Sequence, residues 1–176
     1  TGDKEVLEYL NSLVKGIMMM QINDLKCEYN GAFLSWQNEW HGWGNSQAYA
    51  LLKAYQVLEN EKLKTVALFE LNNFYQRLLE IGFLSSFSVS KTDCDFEIIK
   101  STKFSQIAYN IRPMVYALLE AYKITSDTSY AIQAGKIAKW FIGKNPAGEV
   151  MYNPHTGIIY DGIENENLIN KNSGAE

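Results

Sequence analysis

The sequence predicts an all-α fold built from repeated helical hairpins. Apolar residues recur at helical spacing in five stretches. Two of those stretches, with the helices that follow them, match each other along the chain. Strand-like alternation is nearly absent, surfacing only in "FSVS" (87–90) and "GIIYDG" (157–162).

The first predicted helix covers 4–21, with Val6, Leu7, Leu10, Leu13, Val14 and Ile17 along one face. The second covers 46–58 and the third 62–81. The fourth covers 113–124, with Pro113 in a first turn, where its missing N–H costs nothing. The fifth covers 128–142 and stops at Gly143, a residue suited to a helix C-terminus.

"AYALLKAYQVLENEKL" (48–63) aligns with "VYALLEAYKITSDTSY" (115–130) at a shift of 67 positions, Tyr49 falling on Tyr116. Tyr55 falls on Tyr122, and the same shift pairs Ala67 with Ala134 and Phe74 with Phe141, one helix later. The unit is a helix, a short turn ("ENEK" or "TSDT"), a second helix and a long loop. Loops at 23–45, 82–112 and 144–173 leave one end of these helices, and long loops grouped on one side suggest a binding face. "KNSGAE" at 171–176 echoes "GNSQAY" at 44–49, as though a sixth helix were starting. At roughly 65 residues per hairpin, a ring of six would need roughly 400. The expectation is a single helical-hairpin domain over 1–176, about half of an (α/α)6 toroid, to be completed by a missing segment or another chain.

Composition fits a globular chain: 47% hydrophobic and 20% charged residues argue against wholesale disorder. A net charge of −4 without a basic cluster argues against a nucleic-acid or anionic-membrane surface. Cys27 and Cys94 are too few for a disulfide scaffold and are read as two free thiols rather than one bridge. No metal-ligand spacing is present, and neither a metal nor a cofactor is implied. "VKGIMMMQI" is apolar only briefly and is neither a signal peptide nor a membrane span. A cytoplasmic location is the default, or an extracellular one if a signal peptide was removed.

Hairpins with long loops on one face resemble the toroid of the six-hairpin glycosidase superfamily. The tail from Trp140 to Glu176 is similar to the end of family-nine glycoside hydrolases, through Gly143, Asn145, Pro146 and His155, with Glu164, Glu166 or Glu176 standing for the acid. More closely it resembles uncharacterised prokaryotic glycosidase-like proteins, through Tyr152, Pro154, Thr156, Gly157, Tyr160, Asp161, Gly162, Asn172, Gly174, Ala175 and Glu176. The paired-aspartate motif that supplies the catalytic base in family nine has no match here.

Glycoside hydrolysis needs two carboxyl groups flanking the scissile bond. Glu176, in the first turn of the expected sixth helix, suits a base or nucleophile, since the helix dipole favours its ionised form. Asp161 lies within the tail motif, or is a turn aspartate before glycine. Glu164 and Glu166 read as solvated charges. In "SWQNEWHGWG" (35–44), Glu39 and His41 sit among Trp36, Trp40 and Trp43. Flat sugar faces stack on aromatic rings while carboxylates and imidazoles bind hydroxyls, so this reads as a subsite, or else as a packed aromatic corner. His155 and Tyr160 are further contact candidates. Arg112, at the repeat position of Asn45, pairs with a loop acid or holds a substrate carboxylate.

The sequence thus suggests a carbohydrate-active protein acting on an oligosaccharide or polysaccharide, a glycoside hydrolase using Glu176, Asp161 and Glu39. The alternatives are a non-catalytic carbohydrate-binding or scaffold domain, an epimerase or lyase relying on His41 or His155, and a helical interaction module.

Overall fold

In the computed structural model of the protein, residues 3–92 and 95–173 are described. Helix α1 (Lys4–Met19) starts at Asp3, whose carboxylate accepts the Glu5 and Val6 N–H groups at 3.0 and 3.5 Å. α2 (Gln47–Leu58) turns into α3 (Glu61–Asn72), and α5 (Ala108–Thr125) turns into α6 (Thr128–Ala138). The two turns are built alike. Glu59 and Ser126 each close a helix in the left-handed region, at φ 53° and 59°. Asn60 and Asp127 then cap the next helix, accepting the Lys62 and Ser129 N–H groups at 3.1 and 2.9 Å.

These paired positions obey the shift of 67, and α2 lies against α5. Tyr49 and Tyr116 meet with ring centroids 6.0 Å apart. Lys53 Nζ lies 3.4 Å from the buried Glu120 carboxylate, to which Gln56 Nε2 donates at 2.8 Å. Burial works against ionisation of Glu120, but Lys123, Lys53 and Gln56 outweigh it and hold its carboxyl below the usual range.

Three helix expectations need adjustment. The expected third helix is two: α3 ends at Asn72 and α4 (Phe74–Ile81) resumes after Asn73. Pro113 lies inside α5 rather than in its first turn, because that helix begins five residues earlier, at Ala108. Its ring removes one intrahelical donor. The fifth helix ends at Ala138, followed by a 3-10 turn over Lys139–Phe141, before Gly143 at φ 93°. The expected start of a sixth helix falls on 174–176, outside the described residues.

The all-α expectation is overturned. The protein is a mixed α/β fold with two three-stranded antiparallel sheets, not repeated hairpins forming half of an (α/α)6 toroid. The strands lie in segments expected to be loops. β1 (Glu39–His41) pairs with β2 (Ser86–Lys91), which pairs with β3 (Phe96–Thr102). β4 (Gln106–Ile107) pairs with β5 (Gly162–Asn165), which pairs with β6 (Leu168–Asn170). The first sheet therefore joins the first two expected loops, and the second joins the last two. Of the two strand hints, "FSVS" lies within β2, while "GIIYDG" contributes only an Ile159–Tyr152 bridge and the start of β5.

One buried apolar cluster runs from Val14 in α1 to Ile163 in β5. Gln106 ties its parts together: its side-chain amide donates to the Gly82 and Phe83 carbonyls at 2.9 and 3.3 Å and accepts the Trp140 indole N–H at 3.1 Å. Each of these buried polar groups would be costly unpaired.

Candidate functional site

Successive residues of a strand face opposite sides, and β1 divides "EWH" accordingly. Trp40 points inward and is 1% exposed, stacked on Phe87 at 5.4 Å with Phe74 edge-on at 5.1 Å. It belongs to the core and not to a substrate wall. Glu39 and His41 share the outer face, with His41 Nε2 3.8 Å from Glu39 Oε2.

A tight turn folds the preceding segment back over them. The Ser35 and Trp36 N–H groups both donate to the Glu39 carbonyl, at 2.7 and 3.1 Å, and Ser35 Oγ accepts the His41 N–H at 3.0 Å. Trp36, His41 and Trp43 consequently form one aromatic group, with ring centroids 4.4 to 5.4 Å apart. Trp36 and Trp43 each stay half exposed, at 50% and 49%. Nδ1 of His41 is buried without a partner.

Gly42 fixes where this shelf sits. A Cβ at that position would fall 2.3 Å from Asn110 Nδ2, so the 3-10 turn over Gly42–Gly44 lies directly on the first turn of α5. The tail reaches the same helix end, since the Ala108 N–H donates to the Asp161 carbonyl at 2.8 Å. The tail loop is shaped by Asn153, whose Oδ1 accepts the His155 and Thr156 N–H groups at 2.9 and 3.3 Å, and by Gly157 at φ 74°. Between this loop and α5 lies a cavity of about 350 Å³ lined by Ala108, Arg112, Phe141 and residues 156–159. That volume falls in the range of small-molecule sites. Glu39 instead borders a space of about 80 Å³ with Ser88, Lys100 and Thr102, too small for a sugar ring.

Arg112 lines the larger cavity, its guanidinium 4.9 Å from the Tyr109 ring centroid. The expected salt bridge to a loop acid is not found among the described residues. Asp161 is half-buried and its Oδ2 accepts from Asn170 Nδ2 at 3.1 Å. Tyr160 is half-buried with Lys171 Nζ 5.8 Å from its ring centroid, and His155 stands exposed on the loop. Glu164 is exposed, and Glu166 pairs with Lys103 at 3.2 Å. Glu176 lies outside the described residues. Glu39, His41, Trp36 and Trp43 are thus brought together against Asn110; Asp161 and Arg112 lie by Ala108 at the same end of α5 but on its other side, and Trp40 is in the core.

Beneath the shelf lies a buried polar group that the sequence reading missed. Glu70 in α3 is wholly buried, with Oε1 accepting the Phe33 N–H at 3.2 Å and Oε2 unpaired. Burial pushes its carboxyl up to about 8, opposed only by the Phe33 N–H. Tyr75 is also wholly buried; burial foremost, then Glu70, raises its hydroxyl well above the ordinary value. The amide of Asn45, next to the Trp43 turn, lies near that hydroxyl, yet neither makes a hydrogen bond of ordinary geometry. A signal for Glu70 was present: it falls on the apolar stripe of Leu63, Ala67 and Leu71.

No family model matches the chain, and no curated protein matches it in sequence.

Proposed function

We propose that this protein binds carbohydrate at the N-terminal end of α5, as part of a glycoside-hydrolysing activity. The half-exposed rings of Trp36 and Trp43, held edge to face around His41 with Glu39 beside it, carry this reading. Pinned aromatic faces beside hydrogen-bonding groups suit a sugar, whose ring offers flat C–H surfaces rimmed by hydroxyls. A separate cavity beside Arg112 lies at the same helix end, on the Ala108 side of α5. Isothermal titration against a panel of oligosaccharides tests the reading. Saturable binding that Trp36→Ala and Trp43→Ala each weaken at least tenfold supports it. Absence of binding by the unaltered protein across the panel refutes it.

A second reading, binding without cleavage, is favoured by the carboxylates themselves. Asp161 is engaged by Asn170 just before β5, whereas Glu39 approaches His41 within β1 of the other sheet. Cleavage by carboxyl groups requires two that flank one bond. Asp161→Asn separates the readings: a hydrolase loses turnover and keeps affinity, whereas a binding domain shows no turnover to lose.

A further inference from the structure

We infer that Arg112 makes the cavity at the head of α5 selective for a saccharide that carries a carboxylate. The inference rests on the carbohydrate reading and narrows its substrate class. In a chain with 20 acidic and 16 basic residues, an arginine has acids in excess to pair with. Arg112 nevertheless pairs with none among the described residues, although it is half-buried. It lines a cavity large enough for a sugar unit, and the Tyr109 ring supports the guanidinium. The other walls are chiefly apolar, from Phe141, Ile158 and Ile159, with Thr156, whose hydroxyl accepts the Ile158 N–H at 3.3 Å, at the rim. A planar guanidinium matches a carboxylate through two parallel hydrogen bonds, a geometry that neutral hydroxyls do not satisfy. The site is built for an anion, and a sugar acid supplies the anion and the ring together.

The test uses titration calorimetry on the full chain with oligomers of galacturonate, glucuronate and mannuronate, each beside its carboxyl-reduced neutral counterpart. Inorganic phosphate and acetate serve as free-anion controls. The expected result is at least tenfold tighter binding of one acidic oligomer than of its neutral form. Arg112→Gln should erase that preference and Arg112→Lys, which keeps charge without the fork, should keep only part of it. Trp43→Ala should weaken acidic and neutral forms by the same factor. Circular dichroism of each variant checks that the fold persists. Equal affinity for acidic and neutral forms, or a preference that survives Arg112→Gln, overturns the inference while the carbohydrate reading stands. Phosphate binding as tight as that of the acidic oligomer overturns it in favour of a simple anion site. No binding by any saccharide overturns the carbohydrate reading and the inference with it.

Discussion

Replacing Glu70 by glutamine should stabilise the protein at neutral pH. The folded state keeps this carboxyl neutral up to about pH 8, whereas in the unfolded chain it ionises near its ordinary value of 4.5. A carboxyl raised on folding costs stability as pH climbs, because the unfolded state loses its proton first. The contribution is therefore fully favourable below about pH 4.5 and is lost progressively between 4.5 and 8. At 1.36 kcal/mol per unit, the two and a half units between 4.5 and 7 amount to about 3 kcal/mol at pH 7. Glutamine keeps an oxygen for the Phe33 N–H and carries no ionisable proton. Urea unfolding of both proteins at pH 5 and pH 8 measures the effect. The advantage of Glu70→Gln should be small at pH 5 and several times larger at pH 8. An offset of the same size at both values would refute the reasoning.

Trp40→Ala should cost about 3–5 kcal/mol in denaturant unfolding, as deletion of a fully buried aromatic does, whereas half-exposed Trp43→Ala should cost under about 1 kcal/mol. Gly42→Ala drives a methyl into Asn110 and should destabilise by about 1–3 kcal/mol while displacing the Trp43 turn, seen as a change in tryptophan fluorescence. Asn145→Ala removes a side chain that donates to the Trp140 and Glu149 carbonyls and accepts the Ala147 and Glu149 N–H groups. It should cost about 2 kcal/mol and raise hydrogen exchange across 144–150 before the helices respond.

The helices were legible because their apolar stripes are long enough to show a 3.6-residue period, and because two turns repeat one capping chemistry at Glu59–Asn60 and Ser126–Asp127. The sheets were not. β1 has three residues and β4 two, too few for a two-residue period to register. β3 did carry a strand composition in "FEIIKST", but it is largely exposed on both sides, so no apolar face stands out. Crowded tryptophans permitted either core or site; the alternation along β1 turns Trp40 inward between Glu39 and His41, and the 3-10 turn at Gly42–Gly44 leaves Trp43 outside. The closeness of Gly42 to Asn110, which brings the shelf to α5, depends on a contact between residues 68 positions apart and leaves no trace in local pattern.

The contact between Lys53 and Glu120 bears on how far two packed helices of matching sequence can stay alike. Positions that correspond under the shift of 67 lie face to face across α2 and α5. Two tyrosines tolerate that arrangement, since matching rings pack. Two lysines, or two glutamates, would confront like with like. Symmetry is harmless at Tyr49 and Tyr116 and is broken at Lys53 and Glu120, where unlike residues make a grip that identical copies could not. Editing residue 53 to copy residue 120 would make the two halves more alike and loosen what joins them.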